Sequence, residues 1–152
     1  MNVEKLATKL VVTVDSSATI TEAANQMRNQ HVGALVVTDP SGDALKAIGV
    51  ITDRDLVVSV VALGLDPKIL TAGDVMSTDL LVAKPGDDAS ATIQRMRRAG
   101  VRRVPVVDDS GHLVGLFALD DYLDHLAFSL REVTNLIARE QEEEEQSRLA
   151  FH

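Results

Sequence analysis

The chain has 152 residues, 45% of them hydrophobic, a net charge of −8, and neither cysteine nor tryptophan. This composition supports a packed core of aliphatic side chains and excludes disulfides, thiolate metal sites and a cysteine nucleophile. The negative charge opposes broad attraction to nucleic acid or to an anionic membrane surface, although much of it is concentrated at Glu140 and Glu142 to Glu145. Met1 to Leu10 lacks the apolar core of a signal peptide and no apolar run reaches bilayer length, so the expected location is the cytoplasm, with no membrane partner.

In chain order, Leu10 to Val14 is apolar and β-branched and predicts a strand, closed by the breaker Asp15-Ser16-Ser17. A helix is predicted from near Thr19, where Glu22 completes a capping box and Ile20, Ala23, Ala24 and Met27 form the apolar face. Ala34 to Thr38 and Ala47 to Ile51 predict strands around the turn Asp39-Pro40-Ser41-Gly42, and Leu56 to Leu63 begins a second helix. The same order recurs as Leu80 to Ala83, Ala89 to Ala99, Val104 to Val107, Leu113 to Phe117 and a helix from Leu119 onward.

The recurrence is a duplication. A shift of 69 positions lays Gln26-Met27-Arg28 on Arg95-Met96-Arg97, Val32 on Val101, Asp39 on Asp108 and Gly42 on Gly111. Beyond those glycines the shift is 66, pairing Gly49 with Gly115 and Asp55 with Asp121, so the first copy carries three extra loop residues. Neither β-α-β-β-α unit is large enough to cover both faces of its own sheet. The predicted fold is therefore α/β (α+β), two units packed sheet to sheet with pseudo-twofold symmetry and two equivalent clefts, followed by a long C-terminal helix. The expected divisions are residues 3–64 for the first motif, 65–78 for the linker and lead-in, 79–130 for the second motif, and 131–152 for a helical extension with an acidic end.

Val101-Arg102-Arg103-Val104-Pro105-Val106-Val107-Asp108 followed by Gly111-His112-Leu113-Val114-Gly115-Leu116 resembles a cystathionine-beta-synthase (CBS) motif, and Asp74-Val75-Met76-Ser77 resembles the segment that opens one. The resemblance covers roughly residues 3–130 in tandem. It implies a ligand site in the cleft between motifs, marked by Gly-apolar-apolar-Thr/Ser-x-x-Asp/Asn. The first copy has that signature complete from Gly49 through Ile51 and Thr52 to Asp55; the second, Gly115 to Asp121, keeps the acid but has Ala118 in place of the hydroxyl.

The chemistry fits that implication. An ionised carboxylate only accepts hydrogen bonds, so a fixed Asp55 at a helix start can take both donors of a ribose 2′,3′-diol. Thr52 can serve a phosphate or cap the helix, and the two roles can coexist. Asp53 and Asp55 repel phosphate, so cations must come from elsewhere, and Arg102 and Arg103 stand where the first copy has Gly33 and Ala34. With strand geometry at both, only one arginine points into a given cleft, and the resemblance favours Arg103, directly before Val104-Pro105-Val106. The ligand-binding set implied by the resemblance is Thr52, Asp55, Ile51, Gly33, Ala34, Arg103, Arg102, Pro105, Asp121 and Val12.

Other features read more plainly. Arg95, Arg97 and Arg98 sit at a predicted helix end, where cations suit the dipole, and Met27 and Met96 read as core. His31, His112, His125 and His152 are scattered without metal-ligand spacing, and no nucleophile elbow, phosphate loop or dinucleotide fingerprint is present. Leu119, Leu123, Leu126, Leu130, Val133 and Ile137 form a short heptad stripe expected to be covered by the chain's own module or by a partner, since the resemblance implies a homodimer.

The leading expectation is a non-enzymatic regulatory module that binds AMP, ADP or ATP ahead of NAD or S-adenosylmethionine. Mg²⁺ can accompany the phosphate, no catalytic cofactor is expected, and an unidentified regulated protein reads the bound state. The alternative is a structural protein–protein interaction module with vestigial clefts, for which Ala118 and the helical extension speak.

Overall fold

The computed structural model describes residues 1–41 and 46–150, so Gly42 of the predicted turn and His152 lie outside the described residues. The first helix, α1 (Ile20–Gln30), starts where the sequence predicts. Thr19 Oγ1 accepts from the Glu22 backbone N–H at 3.2 Å, and the Glu22 carboxylate accepts from the Thr19 N–H at 2.7 Å. Ile20, Ala23 and Met27 are its buried face. It ends at His31 in the left-handed conformation, φ 55°, and the repeat-equivalent Gly100 ends α4 (Ala89–Ala99) at φ 67°.

Strands β1 (Thr13–Asp15), β2 (Ala34–Thr38) and β3 (Ala47–Thr52) form one sheet in that order, β1 parallel and β3 antiparallel to β2. The second copy builds β4 (Arg103–Val107) antiparallel to β5 (Leu113–Ala118), and the predicted strand at Leu80 to Ala83 is reduced to the single bridge Ala83 to Val106. Proline explains the reduction. In the first copy the Val36 N–H donates to the Val12 carbonyl at 3.2 Å; the equivalent of Val36 is Pro105, which has no N–H to offer Leu81.

Helix α2 (Asp53–Leu56) passes into a π-helical turn over Val57–Val61, a run of four valines around Ser59 whose branched side chains fit a regular α-helix poorly. A short helix, α3 (Ala72–Val75), carries the linker into the second copy.

The halves are joined by exchange of their lead-in segments. Thr8 pairs with Leu116 of β5, and the repeat-equivalent Ser77 pairs with Val50 of β3, so each lead-in adds to the other half's sheet. The Val3 N–H donates to the Asp87 carbonyl at 2.8 Å, and its counterpart, the Ala72 N–H, donates to the Ala18 carbonyl at 2.7 Å. These reciprocal pairs are the pseudo-twofold symmetry written in hydrogen bonds. Burial follows the same symmetry: Ile20, Met27, Leu35, Val37, Ile51 and Ala72 are matched by Ala89, Met96, Val104, Val106, Phe117 and Val3, all buried. Burying such side chains is worth about 1.5–3 kcal/mol each for the larger ones. Because Val3 and Ala72 lie in the half they do not precede, neither core is complete without the other copy.

Residues Met1–Ala118 form one compact unit and Leu119 onward a second. The second unit is α5 (Leu119–Leu149), uninterrupted at residue 130 and about 46 Å long for its 31 residues. None of its residues is buried, and Leu123, Leu126, Leu130, Val133 and Ile137 of the heptad stripe are exposed. Its acidic end remains helical through Glu142 to Glu145, with Arg139 pairing to Glu143 at 3.2 Å. No described helix is long and apolar enough to cross a membrane.

Candidate functional site

The exchange creates a gap between the two halves. Ser77 is tied to β3 through its N–H to the Val50 carbonyl at 3.0 Å, and Ala83 is tied to β4 through its N–H to the Pro105 carbonyl at 3.0 Å. Between those anchors, residues 78–82 bridge from one sheet to the other. Beside this bridge lies a pocket of about 430 Å³, within the range that holds small-molecule ligands.

One wall of the pocket is the start of α2, with Thr52, Asp53, Arg54 and Asp55, and a second is the turn entering β4, with Gly100, Val101, Arg102 and Arg103. The bridge supplies Asp79, Leu80 and Leu81, and Val50 and Ser77 complete the lining. The apolar members suit a planar base. Three carboxylates (Asp53, Asp55 and Asp79) and three guanidiniums (Arg54, Arg102 and Arg103) balance in formal charge.

Thr52 and Asp55 are held by a capping box. Thr52 Oγ1 accepts from the Asp55 N–H at 3.2 Å, and Asp55 Oδ2 accepts from the Thr52 N–H at 2.8 Å. The same device occurs at Thr19/Glu22 and Thr71/Asp74, so the cap by itself is structural. What separates the Thr52/Asp55 pair is its place on a pocket wall, and the cap occupies only one carboxylate oxygen of Asp55. The cap thus orients the acceptor without consuming it.

Of the residues expected at a ligand site, this pocket brings together Thr52, Asp55, Arg102 and Arg103. Both arginines reach it because β4 begins at Arg103; Arg102 lies in the preceding bend, where strand alternation does not apply. Ile51, between Val50 and Thr52, points the other way into the core of the first half. Ala34 and Pro105 are buried, Ala34 in register with Thr52.

Gly33 backs the α2 start: its carbonyl accepts from the Asp53 N–H at 3.0 Å, and a Cβ there would stand 3.0 Å from Asp53 Oδ2. Val12, partly buried against the first-half core, is the repeat equivalent of Leu81, and Asp121 lies in the first turn of α5, in the second unit. Asp79, Leu80 and Leu81 were not expected at the site. Carrying Val12 across the repeat would have found Leu81; Asp79 falls on Leu10 and had no such signal.

Arg95 is not simply a helix-end cation, since it pairs with Asp87 at 2.6 Å and reaches the carbonyl of Val82 at 3.4 Å. Among the described residues no group of three or more His, Cys, Asp or Glu is arranged to hold a metal ion.

The sequence model of the CBS domain matches twice, over residues 3–62 and 72–128. The chain belongs to the CBS domain family, as a tandem pair. This CBS pair is 38% identical over 120 residues to hypoxic response protein 1 of Mycobacterium tuberculosis, covering 76% of the chain and 78% of that protein. Among solved structures it is similar to a CBS domain protein of Pyrobaculum aerophilum complexed with AMP, with TM-score 0.72, 26% identity, and coverage of 80% of this chain and 89% of that one. It is also similar to a CBS domain pair in complex with 5′-methylthioadenosine and S-adenosyl-L-methionine, with TM-score 0.73, 25% identity, and coverage of 85% and 98%.

Proposed function

We propose that this CBS pair is a regulatory module that binds an adenosine-containing nucleotide (AMP, ADP or ATP) in the pocket between its motifs and is read by another protein. The observation that carries the reading is the convergence of the Asp55 carboxylate and the Arg102 and Arg103 guanidiniums on one pocket with Leu80, Leu81 and Val101. A ribose diol suits Asp55, a phosphate suits the arginines and a flat base suits the aliphatic side chains. Two similar CBS structures hold adenosine-type molecules, which supports the class of ligand.

In this reading the protein works in the cytoplasm as a homodimer, Mg²⁺ accompanies phosphate where polyphosphate binds, and the output is a change in packing. A ligand biases such an equilibrium only through unequal affinity for the two states. Thermal unfolding with and without AMP tests the proposal. At 100 times its dissociation constant the nucleotide stabilises by about 2.7 kcal/mol. No shift with millimolar AMP, ADP or ATP overturns it.

The exposed apolar stripe of α5 favours a second reading, an interaction module whose long helix is the working surface. That reading predicts no nucleotide effect on unfolding and association with a partner through the helix.

A further inference from the structure

The three carboxylates of the pocket are not alike. Asp53 Oδ1 accepts from the Arg54 N–H at 2.8 Å, and Asp55 Oδ2 accepts from the Thr52 N–H at 2.8 Å, so each is partly offset by a backbone dipole and fixes the start of α2. Among the described residues Asp79 has no hydrogen-bond or ion-pair partner, yet it lines the same pocket from the bridging segment. Its repeat equivalent is Leu10, so the fold does not require an acid at this position. An acid that caps nothing and pairs with nothing contributes mainly its charge to whatever the pocket holds.

We propose that Asp79 is a specificity-determining residue that turns the pocket against polyphosphate, so that the preferred ligand is an adenosine derivative carrying one phosphate or none. This inference rests on the nucleotide reading above and narrows it. The physical basis is repulsion within one small cavity. Each added phosphate brings more negative charge into a space where three carboxylates, Asp79 among them, already match the three guanidiniums in formal charge. A positively charged adenosine derivative, such as one bearing a sulfonium, experiences the opposite force.

The test is calorimetric titration of the full chain with adenosine, AMP, ADP, ATP and S-adenosylmethionine, in wild type and Asp79→Asn, each in EDTA and in Mg²⁺. Asparagine keeps the shape and removes the charge, and a matched unfolding curve confirms that the variant folds. The expected result is that wild type prefers AMP to ATP, and that Asp79→Asn improves ATP relative to AMP by about tenfold, leaves adenosine unchanged and weakens S-adenosylmethionine. Equal changes for all ligands, or no change, overturn the inference while leaving nucleotide binding intact. Weaker ATP binding confined to Mg²⁺ also overturns it, because Asp79 then recruits the cation. If wild type binds none of these ligands, both the nucleotide reading and this inference fall.

Discussion

Gly49 of β3 lies directly under Met76 of the exchanged lead-in. A Cβ at position 49 would overlap the Met76 side chain and stand 2.9 Å from the Ser77 carbonyl oxygen. The glycine that opens the first copy's signature is thus where the other half's segment crosses the sheet. Gly115 holds the same place in the second copy with more room, its nearest neighbours being the Thr8 carbonyl oxygen at 3.3 Å and Ala7 Cβ at 3.4 Å. Gly49→Ala is expected to destabilise by about 1–3 kcal/mol, as overpacking does, and Gly115→Ala by less. Urea unfolding of the two variants checks the order; equal losses would contradict the asymmetric crossing.

Thr52 both caps α2 and lines the pocket. Thr52→Ala is expected to cost about 1 kcal/mol of stability, and Thr52→Ser to cost little, because serine caps as well. Unfolding curves read the cap. If the hydroxyl also contacts ligand, calorimetry will show weaker nucleotide binding for the alanine variant by up to about tenfold and near-normal binding for serine.

Asp88 caps α4, and its carboxyl is held below its ordinary range first by the hydrogen bond from the Ala91 N–H and further by the Met1 ammonium at 3.7 Å. A carboxyl with a depressed folded-state pKa stabilises the fold above its unfolded-chain value, and that contribution is lost as pH falls through the folded value. Asp88→Asn keeps a capping oxygen and removes the titration. The stability difference between wild type and this variant is therefore expected at neutral pH and should shrink in acid, measured by unfolding at a series of pH values. A difference that grows on acidification would contradict the assignment.

The second copy's signature carries Ala118 where the first has Thr52. Losing one hydroxyl hydrogen bond costs about 0.5–1.5 kcal/mol, so the first copy's pocket is expected to bind nucleotide more tightly, by up to tenfold. Calorimetric titration distinguishes one tight site from two equal ones, and two equal sites would contradict the expectation.

Much of this architecture was legible because the chain states it twice. The capping box at Thr19 and Glu22 follows from local pattern in the first copy, and the core faces through Met27 and Met96 from a pattern seen in both. The exchange of lead-ins was not legible, because pairing Thr8 with Leu116 is a long-range event that no local periodicity encodes. Pro105 hid a second difference: its neighbours read as a strand, but the missing N–H is felt one strand away, at the segment that then forms only a bridge.

The candidate site divides along the same line. Thr52 and Asp55 came from a contiguous signature and Arg102 and Arg103 from comparing the copies, whereas Asp79, Leu80 and Leu81 reach the pocket only because their segment spans the two halves. Ile51, Ala34 and Pro105 sit in the same stretches as pocket residues but are buried. Strand alternation turns Ile51 away from its pocket neighbours Val50 and Thr52, whereas Ala34, in register with Thr52, and Pro105, two residues from Arg103, share a face with pocket residues and are covered there.

The account depends on the Arg103 guanidinium meeting a phosphate while Asp55 holds the sugar. Calorimetric titration of AMP and adenosine into wild type and Arg103→Ala measures this directly. The predicted result is a large loss of AMP affinity with adenosine nearly unaffected; equal losses for the two ligands would contradict it.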